Sequence, residues 1–130
     1  MKKIISGILT ITLITLATIM SNAQANNEAK VLRHVVLFKF KDSSSASDVK
    51  KVEDAFAALP GKISQIKAYE WGKNNSPEGL NQGLTHCFIL TFASDKDRDD
   101  YLVHPDHKAF GKVLGPHLDK VTVVDFWTEK

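Results

Sequence analysis

Tyr101-Leu-Val-His-Pro-Asp-His-Lys-Ala-Phe110 places a phenol and two imidazoles around one proline, more usable chemistry than any other ten residues of the chain. Imidazole titrates near neutrality, and a phenol can donate or accept a hydrogen bond, so Tyr101 and His107 together could move a proton and steady an oxyanion. Pro105 disfavours helical dihedrals at His104 and suits the first turn of a new helix, so the segment reads as helix, corner, short helix. Tyr101 then lies just before the corner and His107 just after it, both able to lean toward one hollow. The plainer reading is an aromatic and two histidines that fill a helix corner and bond nearby carbonyls.

The other chemistries have less support. Five histidines (His34, His86, His104, His107 and His117) suggest a metal, but Pro105 interrupts the helix that would align His104 with His107. His34 and His86 share a strand face, yet antiparallel pairing would hold them roughly 13 Å apart at 3.3 Å per residue. No metal site and no cofactor are expected. Asp95, Asp97, Asp99 and Asp100 read as a helix start interleaved with Lys96 and Arg98. Neither Gly-x-Ser-x-Gly, a Cys/His signature nor a phosphate-binding loop is present.

Met1-Lys-Lys, the apolar run from Ile4 to Met20 and Ala23-Gln-Ala25 together form a signal-peptide pattern over residues 1–25, with cleavage after Ala25. The expected product is exported, periplasmic or secreted, with no stable membrane anchor after cleavage. Lys2 and Lys3 carry the whole net charge of +2, so residues 26–130 are neutral and nucleic acid is not an expected partner. About one hundred residues make one small domain, and the lone Cys87 cannot staple it internally.

The elements that would position the chemistry follow from periodicity. Leu32, His34, Val36, Phe38 and Phe40 alternate with Val31, Arg33, Val35, Leu37 and Lys39, a strand needing cover on both faces. Ser45 and Asp48 have capping-box spacing before a helix carrying Val49, Val52, Phe56 and Leu59, stopped by Pro60-Gly61. A weakly alternating edge strand runs from about Ile63 to Trp71, and residues 72–83 read as a loop, a candidate lid or partner contact. Leu84 to Phe92 forms the third strand; Ser94 caps the helix before the Tyr101 corner; Gly111 and Gly115-Pro116 close the short helix; Leu118 to Trp127 is the last strand. Strand, helix, two strands, two short helices, strand is an α+β, ferredoxin-like βαββααβ order. Its helices cover one sheet face, which leaves Val31, Val35, Leu37, Cys87, Ile89, Thr122 and Val124 for a second copy, a homodimeric α+β barrel.

Arg33-His-Val-Val-Leu-Phe-Lys-Phe-Lys41, Trp71-Gly-Lys73, Thr85-His86, Phe92, Tyr101, His104-Pro-Asp-His107 and Asp125-Phe126, in this order, resemble the stress-responsive α/β-barrel (Dabb) domain from about Leu32 to Trp127, within a domain set at residues 26–130. The resemblance implies a ferredoxin-like protomer and a dimer of back-to-back sheets. A plant cyclase of this family closes a linear polyketide by aldol condensation with a histidine and a tyrosine. By position these fall on His107 and Tyr101, and its pocket lining falls on His34, Val36, Phe38, Phe56, His86, Phe88, Leu102 and Phe110. The function implied is a pocket for a small hydrophobic or carbonyl-containing ligand, with cofactor-independent lyase or cyclase chemistry. The alternative is a non-catalytic stress protein whose dimer is the functional unit.

Overall fold

A computed structural model describes residues 29–129; the segment 1–25, expected as a signal peptide, and the cleavage expected after Ala25 lie outside the described residues. The elements are β1 (Leu32–Phe40), α1 (Ala46–Ala57), β2 (Ala68–Lys73), β3 (His86–Phe92), α2 (Asp95–Val103), α3 (Pro105–Leu114) and β4 (Leu118–Trp127), with short 3-10 turns after α1 and α3. The strands make one antiparallel sheet in the order β2-β3-β1-β4. The expected ferredoxin-like α+β order is what the chain adopts.

Local chemistry explains most boundaries. The Ser45 side chain accepts from the Asp48 amide while Asp48 reaches back to the Ser45 amide, so two orphan donors of α1 are satisfied at once. Ser94 accepts from the Asp97 amide at the start of α2. Before Pro105, His104 adopts φ −62° and ψ 138°, extended as a residue preceding proline must be, and α2 ends there. The His104 ring then accepts from the Asp106 amide at 3.1 Å, so a histidine serves as the N-cap of α3.

Several boundaries differ from the periodicity. α1 stops at Ala57, with Leu59 in the turn after it, and β2 runs on through Gly72 and Lys73 of the expected loop. The second strand starts at Ala68, not near Ile63: Ile63 and Ile66 are buried from the turn that follows α1, so their apolar spacing reflects the core and not a strand. The third strand starts at His86, since Leu84 and Thr85 still belong to the loop. Gly111 sits inside α3, which runs on until Gly115 and Pro116 turn it.

The helices cover one face of the sheet. Val52 and Phe56 of α1 and Phe110 and Leu114 of α3 pack on Leu32, Val36, Phe38, Phe88, Leu90 and Phe92. Phe56 is the hub of this layer, with ring centroids 4.4 Å from Phe88, 4.6 Å from Phe110 and 6.0 Å from Phe38. On the opposite face, Val35 pairs with Ile89 and Val124, and Leu37 with Cys87 and Thr122, forming an apolar patch that no described element covers. Val124 and Phe126 are exposed there.

Candidate active site

Antiparallel register lines up one row across all four strands on the helix-covered side: Tyr69, Leu90, His34, Asp125. A cavity of about 600 Å³ lies between β1, β4 and the three helices. Its apolar wall is Val36, Phe38, Phe56, Phe110 and Leu114, and Val121 (46 % exposed) and Val123 (52 % exposed) form its open side.

The polar groups converge at one end. Tyr101, from the last turn of α2, and His107, from the first turn of α3, have ring centroids 4.4 Å apart. The Pro105 corner brings them together, because it folds the helix that carries one over the helix that carries the other. His107 donates its Nδ1–H to the Leu102 carbonyl at 3.1 Å, which fixes the tautomer and leaves Nε2 with a free lone pair. Burial lowers its pKa below the ordinary histidine value, and the nearby His34 and His104 add to this against the opposing bond to Leu102. At neutral pH His107 is therefore an uncharged base. Tyr101 is only 1 % exposed, and burial raises its hydroxyl above the usual phenol range, with the neighbouring Tyr69 hydroxyl adding to the effect. A phenol so placed keeps its proton and can donate.

His34 also packs against Tyr101, centroids 5.7 Å apart and rings nearly edge to face. Its Nδ1–H donates to Asp125 Oδ1 at 2.6 Å, and Arg98 Nη1 donates to Asp125 Oδ2 at 2.6 Å. Arg98 and Asp99 complete the mouth beside Leu102.

The structure therefore brings Tyr101, His107, His34, Val36, Phe38, Phe56, Leu102 and Phe110 to a single cavity. His86 and Phe88 do not line it. They lie on β3, a strand further from the open edge, and Phe38 and Phe56 stand between. His86 is held elsewhere: it donates from Nε2 to Glu53 at 2.9 Å and accepts at Nδ1 from the Thr85 hydroxyl at 2.8 Å, under a stacked Trp71. Burial alone would raise the Glu53 carboxyl, but the hydrogen bonds from His86 and Lys73 leave it below its ordinary value. His117 bonds Ser44, and His104 is spent on the α3 cap. Among the described residues no three His, Cys, Asp or Glu side chains cluster as a metal site would need.

Sequence reasoning did not single out Arg98, Asp99, Asp125, Val121, Val123 or Leu114 for this cavity. Two signals were available. Arg98 precedes Tyr101 by three residues and so shares its helix face. Val121, Val123 and Asp125 alternate on β4, and counting the antiparallel register sets Asp125 opposite His34.

The model of the stress responsive A/B barrel domain matches residues 32–128. The chain belongs to this family. Within the A/B barrel family it is similar to the stress-response A/B barrel domain-containing protein HS1 of Arabidopsis thaliana, 39% identical over 95 residues that cover 73% of this chain and 87% of that one. It is similar also to olivetolic acid cyclase of Cannabis sativa, 28% identical over 99 residues covering 76% and 98%. A dimeric protein of unknown function and ferredoxin-like fold from Bacteroides fragilis superposes with a TM-score of 0.61 at 31% identity, covering 74% of this chain and 94% of that chain.

Proposed function

We propose that this A/B barrel protein binds a small, largely apolar carbonyl compound in the cavity beside β4 and acts on it as a cofactor-independent lyase or cyclase. The observation that carries the reading is the 4.4 Å approach of Tyr101 and His107 at the polar end of a cavity whose remaining wall is largely apolar. His107 Nε2 takes a proton from the carbon next to the carbonyl. Tyr101 donates a hydrogen bond to the oxygen on which the enolate charge develops. The resulting carbon nucleophile can add to a second carbonyl of the same molecule, or its formation can accompany the release of a leaving group. These proton transfers call on side chains alone. The likeness to a cyclase over nearly that enzyme's whole length supports the reading.

The working unit is proposed as a homodimer, its two copies joined through the uncovered sheet face around Val35, Leu37, Ile89 and Val124. The apolar character of that face and the dimeric fold relative both support this. That same face favours a second reading, a stress protein whose dimer is itself the function. Export with cleavage after Ala25 is proposed from the N-terminal pattern of charge, apolar run and small residues. An intact mass beginning at Asn26, on protein recovered from the envelope or medium, supports it; a retained 1–25 segment contradicts it.

Incubating the purified protein with a metabolite extract, and identifying by mass spectrometry what stays bound, separates the two functional readings. A carbonyl compound retained by the protein and lost when Val123→Trp narrows the cavity supports the pocket. Retention of nothing, or retention indifferent to Val123→Trp, favours the dimer alone.

A further inference from the structure

We propose that His34 is a second proton-handling group of the cavity, and that Arg98 is the positioning residue that readies it by holding Asp125. The three have separate backbone origins: Arg98 comes from α2, Asp125 from β4, and His34 from the inner strand β1. Their side chains nevertheless form one continuous line, Arg98 Nη1 to Asp125 Oδ2 at 2.6 Å and Asp125 Oδ1 to His34 Nδ1 at 2.6 Å.

A carboxylate can only accept, so Asp125 fixes the proton of a neutral His34 on Nδ1 and leaves Nε2 as the atom that can meet a ligand. His34 is 5 % exposed, and it lines the cavity. Left alone, Asp125 could swing its carboxylate about a single side-chain torsion; with its second oxygen bound to a guanidinium, it cannot do so without breaking a charged hydrogen bond. Arg98 is anchored in turn by Asp99 at 2.8 Å and approached by Asp95 at 3.7 Å. The arrangement is that of a ring nitrogen oriented by a carboxylate, with a further group orienting the carboxylate.

The groups facing His34 from the packed elements are Asp125 on β4, Arg98, Asp99 and Tyr101 on α2, and His107 on α3; its β3 neighbours Leu90 and Phe92 carry no charge. Both imidazoles touch the Tyr101 ring, one held by a backbone carbonyl and the other by a carboxylate. A site so built can take a proton at each of two atoms of a bound molecule, as ring closure onto a second carbonyl with loss of water requires: the C–H proton goes to His107 Nε2, a C–C bond forms as the C=O π bond breaks, and the new alkoxide takes that proton back from His107; a second C–H proton then goes to His34 Nε2 as a C=C bond forms and the hydroxyl leaves, taking that proton to depart as water. The inference rests on the reading of the cavity as an acid–base site, but its test needs no substrate.

The test is nitrogen NMR of the protein carrying 15N-histidine, with His34 assigned by its loss in His34→Gln. In the wild type the expected neutral form of His34 has a protonated Nδ1 and a bare Nε2. Arg98→Met leaves the Asp125 charge uncompensated beside the ring and so favours the charged imidazole, and the His34 titration midpoint should rise. Arg98→Lys, which keeps the charge without the fork, should fall between. Asp125→Asn removes the charge while its amide oxygen can still accept from Nδ1–H, so the tautomer should persist and the midpoint should fall. A wild-type His34 protonated on Nε2 overturns the proposal. So does a midpoint unmoved in both Arg98→Met and Asp125→Asn, even if the thermal midpoint drops, for Arg98 would then be a structural clip. Should Arg98→Met not fold, Asp125→Asn decides alone by the same criterion. These outcomes concern His34; failure of the cavity as a catalytic site would show instead as indifference of turnover to His107.

Discussion

Tyr101 and His107 touch because a single proline turns the chain between them, and their chemistry follows from how little water each meets. Tyr101→Phe removes only the hydroxyl and keeps the buried ring, so the thermal midpoint should hold while turnover falls by roughly 10² to 10⁴, with a similar loss for His107→Ala. Loss of stability with no specific effect on turnover would make both residues core filling. The pH behaviour has a definite sign. Burial holds the folded pKa of His107 below the unfolded value of about 6.5, so the unfolded chain binds more protons at this site through the window between the two values. The stability contribution is complete above about 6.5 and is lost as pH falls through the folded value. Urea unfolding at pH 7 and pH 5 should show a smaller acid loss in His107→Gln than in the wild type. Equal losses would contradict the buried, neutral imidazole. At this scale the sequence already pointed to Tyr101 and His107, because proline rules are local. It did not point to Arg98 and Asp125, which meet across 27 residues only once α2 is laid over β4.

Among the elements, α3 depends on a cap that few helices use. His104 accepts the Asp106 amide through Nδ1, so His104→Ala should cost about 1 kcal/mol, and His104→Asn, a stronger capping residue, should restore it. Chemical denaturation reads this directly; an Ala variant as stable as the wild type would remove the cap from the description. Phe56 bridges Phe38, Phe88 and Phe110 beneath the cavity, and Phe56→Ala should cost about 3–5 kcal/mol. Elements announced by a cap or by strict alternation, such as α1 after Ser45 and β1, could be read from residue order. The start of β2 could not: Ile63 and Ile66 are as apolar as strand residues, and only tertiary packing shows that they plug the core from a turn. For the same reason His86 and Phe88 share the face of the cavity residues without reaching it, since parity names a face but not the distance along the sheet.

For the whole molecule, two features call for an occupant, the bare sheet face and the cavity. Back-to-back association predicts a dimer in light scattering at micromolar concentration, and Val124→Glu, which sets a charge in the middle of that face, should yield a monomer. A monomeric wild type would remove the barrel. That face was visible in the alternation of β1 and β3, because a strand apolar on both sides must be covered twice. The cavity was not, because residues of β1, β4 and three helices line it together only once the chain is folded. The most direct measurement is of carbon-acid chemistry in that cavity: deuterium incorporation next to the carbonyl of a panel of alkyl and aryl methyl ketones in D₂O, followed by proton NMR for the wild type and His107→Ala. The expected result is exchange faster than in protein-free buffer for at least one ketone, falling by about 10² or more in the variant. Exchange at the buffer rate across the panel, or exchange equally fast without His107, would contradict the assignment of this site to proton abstraction.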